Sequence, residues 1–252
     1  ASPMNDESTT HFGFSQVKTG EKAGKVAEVF HSVANKYDLM NDVMSFGVHR
    51  LWKQFTIELC GLREGHYVLD LAGGTGDMSA LFAGAVGKDG TVVLTDLNQD
   101  MMKVGRDRLL DEGLPQVQFC CAPAEALPFG DNMFDCACIS FGLRNFTDKD
   151  QALRELLRVL KPGAALIVLE FSKPEHPALN AAYSAFQALW PGAGQIVAGD
   201  AQPYQYLVES IRVHPDQRAL KQMFEDAGFI DVSYDNLVGG IAAIHRGSKP
   251  LP

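Results

Sequence analysis

Tyr67-Val68-Leu69-Asp70-Leu71-Ala72-Gly73-Gly74-Thr75-Gly76-Asp77 is the stretch on which the fold turns. His66 to Leu71 reads as a buried strand that Asp70 helps to close. Ala72 to Gly76 then turns sharply into a helix from Met78 to Val86. Glycines in such a turn let the backbone take positive φ and approach a ligand closely. Twenty residues past Gly76, at the end of the next apolar run, stands Asp96. A carboxylate at that strand end can accept both hydroxyls of a ribose.

Working outward, short apolar runs alternate with helical periodicity. Strands are expected at Thr91–Thr95, Gln116–Cys121, Phe134–Ser140 and Ala164–Phe171. Helices are expected at Met101–Glu112 and Lys149–Leu160, the second ended by Lys161-Pro162-Gly163. This order implies an α/β fold, a mostly parallel sheet of about seven strands with helices on both faces. Toward the C-terminus, Ile230–Tyr234 and Gly239–His245 supply the last two strands. His214-Pro215-Asp216-Gln217 opens a helix to Ala227, with Pro215 placed in its first turn. Residues 172–213 are too long for an ordinary connection and read as a lid or binding element. There Ala178–Leu189 is helical, Trp190 to Gly194 breaks it, and 203–212 is helical again. Before the sheet, Glu21–Tyr37 and His49–Cys60 read as helices, and the first 20 residues as a polar lead-in.

Composition narrows the function classes. The 252 residues carry a net charge of −9, which disfavours a partner with a long phosphate backbone. No apolar run reaches the roughly 18 residues of a membrane helix, and the N-terminus is polar, so neither a span nor a signal peptide is expected. The five cysteines, Cys60, Cys120, Cys121, Cys136 and Cys138, show no zinc spacing. They read as small buried hydrophobes, and no metal is expected.

The loop also discriminates among nucleotides. A dinucleotide fold calls for G-x-G-x-x-G with a helix N-terminus aimed at pyrophosphate. Here Asp77 places a negative charge at that point, whereas Asp70 suits an ammonium. S-adenosylmethionine carries an ammonium and a sulfonium and no phosphate, so the charges favour it over NAD. Cys121-Ala122-Pro123-Ala124-Glu125 follows the third strand, on the adenine side. Ser140-Phe141-Gly142 follows the fourth, where the methionine portion and methyl group belong.

Further stretches carry a family resemblance. They are His11-Phe12-Gly13-Phe14, the run Val29 to Asp42, Met44 to Lys53, Ala124 to Phe129, Ser140-Phe141-Gly142-Leu143-Arg144-Asn145, Leu169 to Pro174, Glu209 to Arg212, and His214-Pro215. Through them the chain resembles, from about Thr9 to Lys249, the ubiquinone/menaquinone-biosynthesis C-methyltransferases, which act on polyprenylated quinols. The resemblance implies a class I (Rossmann-like) methyltransferase fold. Residues 1–60 would be an N-terminal extension and helical cap, and 61–252 an S-adenosylmethionine-dependent methyltransferase domain with a lid at 172–213. The family's cofactor residues fall on Thr75, Asp96, Pro123, Ala124 and Ser140. The loop's own chemistry adds Asp70, Gly74 and Gly76. Pro123 departs from the family, which commonly has Asn or Asp there. Proline has neither a side-chain donor nor an N–H, so the Ala124 N–H is left for adenine.

The implied reaction joins a methyl group to an aromatic ring carbon. A quinol carbon is nucleophilic once a neighbouring hydroxyl loses its proton, and an oxidised quinone is not. Arg144, Asn145, Tyr37 and His49 are the catalytic candidates. Arg144 would contact the quinol oxygen, or else form an ion pair with a residue such as Asp148. Asp38, Asn41 and Asp42 are further pocket groups, Asp38 and Asp42 being equally good helix caps, and His214 is a turn residue or a base. Phe186, Leu189, Trp190, Ile196, Val197, Tyr204 and Tyr206 would line a tail channel or pack as core. The partners implied are the polyprenylated quinol, a membrane surface or a quinone-biosynthesis complex, and a second copy in a homodimer; nucleic acid is not among them. The resemblance places the protein in the cytoplasm, peripheral to the inner face of the membrane. Two alternatives stay open: a methyltransferase for another small aromatic or lipid substrate, and a cofactor-binding scaffold subunit. Asp77 and the loop spacing disfavour an NAD-linked dehydrogenase.

Overall fold

In the computed structural model, residues 8–31, 40–42, 45 and 47–252 are described, the side chains of Val197 and Ala198 excepted. Tyr37 and Asp38, with the rest of the expected first helix beyond His31, lie outside them. The polar lead-in contains a hairpin that sequence reading passed over: β1 (Thr9–Phe12) pairs antiparallel with β2 (Ser15–Lys18) around Gly13 at φ +58°. Phe12 holds the hairpin down by stacking on Tyr206, ring centroids 4.7 Å apart. Helix α1 (Thr19–His31) follows directly, and α2 (His49–Leu59) buries Trp52 and Thr56 on its inner side.

Strand β3 (Tyr67–Leu71) is buried from Val68 to Leu71, as a central parallel strand requires. Helix α3 (Asp77–Val86), strand β4 (Thr91–Asp96), helix α4 (Gln99–Asp111) and strand β5 (Val117–Cys121) then build outward to one side. Strand β6 (Phe134–Ser140) returns to the other flank of β3. Helix α5 (Lys149–Val159) and strand β7 (Leu160–Phe171) continue that side, and β3 to β7 all run parallel. The chain therefore reverses its direction of winding between β3 and β6. Their carboxyl ends form the crevice where open α/β sheets bind ligands.

Three helices, α6 (Pro177–Gln187), α7 (Trp190–Ala198) and α8 (Gln202–Val213), occupy the long excursion. Helix α9 (Gln217–Ala227) leads to β8 (Ile230–Leu237) and β9 (Ala242–Ser248). β9 lies antiparallel between β7 and β8, which completes the order β5-β4-β3-β6-β7-β9-β8. This is the expected seven-stranded, mostly parallel sheet. One core packs α2, α3 and α4 with the excursion helices on one face. The other packs Leu153, Leu156 and Val159 of α5 with Leu220 and Phe224 of α9.

Local expectations fail where proline and glycine were read as stops. Lys161-Pro162-Gly163 belongs to β7, with a register shift opposite Phe134 and Cys136 and Gly163 at φ +79°. Proline is tolerated at such a strand start because its missing N–H leaves no ladder bond unmade. Trp190 to Gly194 begins α7 instead of breaking a helix, since Pro191 falls in a first turn, where no N–H is needed. Pro215 lies just outside α9, and Asp216 is the cap, its carboxylate accepting the Ala219 N–H at 2.8 Å. All five cysteines are free thiols; Cys60, Cys136 and Cys138 are buried, whereas Cys121 is exposed. Among the described residues, no helix is long and apolar enough to cross a membrane.

Candidate functional site

At the crevice the turn after β3 is held by sterics and backbone bonds. Ala72 and Gly74 take φ of +57° and +53°, so one of the left-handed positions carries a side chain. Phe141, after β6, is another, at φ +55°. Non-glycine residues in this region are strained and persist where the surroundings over-determine them. Gly142 faces the Ala72 side chain so closely that a Cβ there would sit 2.6 Å from Ala72 Cβ. Gly73 likewise has no room, since a Cβ would meet Leu94 Cγ at 2.6 Å.

A cavity opens over this turn. Asp70, Gly74, Thr75, Asp96, Pro123, Ala124 and Ser140 all line it. Gly76 does not; it caps α3 in the left-handed conformation and packs toward Leu109. Ala23, Val26, Ala27 and Phe30 of α1 form an apolar wall, and Asn41 and Lys53 also line the space. Asp96 accepts the N–H of Gly74 at 2.9 Å and of Asn98 at 2.8 Å, fixing its carboxylate at the end of β4. Burial raises its pKa, and those N–H bonds act in the opposite direction. Glu125 binds the N–H groups of Thr147 and Asp148, tying the loop after β5 to the one after β6.

Asp70 is 1 % exposed, and one of its oxygens accepts the Ser79 hydroxyl at 2.6 Å. Burial pushes its pKa up to about 7, and the charge of Asp96 adds to the rise, while Ser79 and Lys53 pull it down. A buried carboxylate so poorly neutralised is suited to a cationic ligand group. Asp77 is a different case. It accepts Lys53 Nζ at 2.8 Å and Arg108 Nη1 at 2.6 Å. Its charge is shared by two cations, so its bias against a phosphate is weaker than the loop alone implies, though it still adds to the rise at Asp70. The preference for S-adenosylmethionine rests on Asp70 and Asp96.

The candidates for chemistry separate. Asn145 lines the cavity and accepts the Tyr206 hydroxyl at 2.9 Å. Arg144 does not line it. Its guanidinium donates to Glu170 Oε1 at 2.9 Å and to the Phe141 carbonyl at 2.6 Å, and the Arg144 N–H donates to Glu170 Oε2. The ion-pair partner is thus Glu170 at the end of β7, not Asp148, which instead caps α5. His49 is buried and does not line the cavity; it lies 3.0 Å from Asp42, its pKa lowered by burial and by the charge of Lys53. His214 is also buried and away from the cavity, and burial with nearby Lys149 and Arg144 holds its pKa well below the usual histidine value. Trp190 and Tyr204 are core; Leu189 and Ile196 are exposed, Ile196 at 87 %. Among the described residues, no group of three or more His, Cys, Asp or Glu side chains could hold a metal.

Lys53 escaped sequence reading. A signal was present: Asn41, Ser45, His49 and Lys53 recur every fourth residue, and all four are buried. Polar groups buried at helical spacing, instead of facing solvent, are a signal of a polar site, and two of these four, Asn41 and Lys53, line the cavity.

The ubiE/COQ5 methyltransferase family matches residues 18–249. The chain belongs to this family. A ubiE/COQ5 methyltransferase is an enzyme, and its cofactor is S-adenosylmethionine. Among its relatives is the ubiquinone/menaquinone biosynthesis C-methyltransferase UbiE of Ectopseudomonas mendocina (strain ymp), 61% identical over 249 residues, covering 98% of this chain and 97% of the relative. The protein of that name from Pseudomonas putida (strain GB-1) is 59% identical over 246 residues, covering 97% and 96%. A crystal structure of a SAM-dependent methyltransferase from Aquifex aeolicus superposes with a TM-score of 0.59 at 21% identity, covering 78% of this chain and 89% of that one. At that identity the likeness concerns the fold, which it matches to the Rossmann-like architecture of this ubiE/COQ5 methyltransferase.

Proposed function

We propose that this protein methylates a ring carbon of a polyprenylated quinol in ubiquinone or menaquinone biosynthesis. The observation that carries the proposal is the near-full-length similarity to relatives whose names state C-methylation in those pathways. The cavity supports it, because one space joins an acidic, glycine-lined wall to an apolar wall on α1. The first suits a cationic nucleoside and the second an aromatic ring.

When bound, S-adenosylmethionine supplies a methyl group activated on sulfonium. Asp70 would take its ammonium, Asp96 the ribose hydroxyls, and the backbone at Thr75, Ala124 and Ser140 the rest, with Pro123 in apolar contact. The protein's part is positioning and exclusion of water. Phe30, Val26 and Phe141 keep the reacting face dry. Asn145, oriented by Tyr206, and Asn41 are the amide groups placed to steady charge on a quinol oxygen as its proton leaves. Asn41 Nδ2 is buried with no hydrogen-bond partner among the described residues, as expected of a donor reserved for a ligand. Arg144 acts from behind, clamping the strained Phe141 carbonyl. Residues 1–60, which include Tyr37 and His49, would serve as the cap, and residues 172–213 as the lid. Exposed Leu189 and Ile196 give that lid an apolar edge for the membrane in which a prenylated substrate dissolves. The protein would reach it from the cytoplasm, alone, as a homodimer or within a biosynthetic complex.

The test is incubation with labelled S-adenosylmethionine and demethylated quinones, reduced or oxidised, with the methyl located by mass spectrometry. Methyl on a ring carbon of the reduced substrate alone is expected. Methyl on oxygen, or equal reaction of the oxidised form, would overturn the proposal.

A further inference from the structure

The cavity wall is unbalanced in charge. Asp70, Asp96 and Glu125 line it besides Asp77, which Lys53 and Arg108 already pair with, and among the described lining residues Lys53 is the one cation. The cofactor's amino-acid end is a zwitterion, with a carboxylate beside its ammonium. If Asp70 takes the ammonium, the carboxylate must find a donor close by, since an unpaired ion is costly to bury.

Lys53 is built for that task. Its side chain is 7% exposed, so its ammonium is already desolvated in the protein. One of its three donors is spent on Asp77 Oδ2 at 2.8 Å, and this bond aims the side chain at the start of α3. Asp77 Oδ1 is held in turn by Arg108 at 2.6 Å, with exposed Glu112 3.6 Å beyond it. Two cations share the Asp77 carboxylate, so its negative charge does not cancel that of Lys53. Lys53 also acts on Asp70 through space, favouring its ionised form. The two groups therefore face one region of the cavity with opposite charge.

We propose that Lys53 binds the carboxylate of the amino-acid end of S-adenosylmethionine, so that the cofactor itself ties helix α2 to the end of β3. The inference rests on the reading that this cavity holds the cofactor through Asp70. Lys53 lies outside the glycine loop, so the grip couples cofactor loading to the seating of the N-terminal cap.

The experiment is calorimetric titration of S-adenosylmethionine and of decarboxylated S-adenosylmethionine, which keeps the ammonium and sulfonium but lacks the carboxylate. Wild type should prefer the carboxylated ligand roughly 10- to 100-fold, the size of a charge-assisted hydrogen bond. Lys53→Met should remove that preference by weakening S-adenosylmethionine alone, and Lys53→Arg should restore part of it. Equal weakening of both ligands in Lys53→Met would assign Lys53 a structural role and overturn the proposal. Absence of any preference in wild type would overturn it without recourse to a variant. Asp70→Asn separates the two readings, because both ligands carry the ammonium. If that variant binds both as wild type does, the Asp70 placement fails; if it loses both while Lys53→Met spares the preference, only the Lys53 inference fails.

Discussion

Asp70→Asn should stabilise the ligand-free protein while removing cofactor binding. The carboxylate is 1% exposed, and its pKa is raised from 3.8 to about 7, chiefly by burial. A group whose folded pKa lies above its unfolded value contributes its full share of stability below the unfolded pKa. That share is lost as pH rises through the folded one. Wild type therefore loses stability between about pH 4 and pH 7 from this residue. At about 1.4 kcal/mol per pH unit, the span amounts to about 4 kcal/mol. Asparagine is isosteric, cannot ionise, and still offers an oxygen to the Ser79 hydroxyl, so it escapes the loss. Urea unfolding of both proteins, followed by circular dichroism from pH 4.5 to 8.5 without ligand, measures the difference. The advantage of the variant should be small at the acid end, climb toward neutrality and level off near 4 kcal/mol above pH 8. A difference that does not change with pH, or a variant less stable than wild type at pH 8, would refute the reasoning that burial strains this carboxylate. The strain has a functional sense, because a bound ammonium would relieve it.

Other consequences are as direct. Affinity for S-adenosylmethionine should fall about tenfold per pH unit below pH 7, as Asp70 takes up the proton that an ammonium must displace; a flat calorimetric profile from pH 5 to 8.5 would contradict this. Glu170→Ala should destabilise the fold by about 3–5 kcal/mol in denaturant titration, since it breaks a buried ion pair by removing the carboxylate that holds Arg144; a loss below about 1 kcal/mol would mean the pair is not buried as described. Gly105→Ala on α4 should weaken cofactor binding at least tenfold in the same calorimetry. Its Cβ would stand 2.8 Å from the Thr75 carbonyl carbon and 2.9 Å from its oxygen, and rigid loop backbone must shift to admit it; unchanged affinity would show that the loop gives way.

The sheet was legible because central parallel strands, buried on both faces, read as continuous apolar runs. Phe134–Ser140 is bounded in the sequence where the strand is bounded in space. The hairpin at Thr9–Lys18 was not legible, since its strands are short and mostly solvated and lack apolar alternation. Pro162 and Pro191 misled for one reason: proline marks a place without an N–H, which a helix start or strand start satisfies as well as a stop.

For the site, the glycine turn, the carboxylates at the ends of β3 and β4, and the family whose chemistry they serve are readable in the chain alone. These are local features, set by backbone conformation and strand register within a few residues. Which charges remain available was decided only by tertiary structure. Asp77 is matched by Lys53, 24 residues before it, and by Arg108, 31 residues after it. Arg144 is taken up by Glu170, 26 residues on. Electrostatic pairing depends on distance in space and on burial. Neither is a property of neighbouring residues, so a carboxylate that reads as free in the chain can be neutral in effect once the chain has folded.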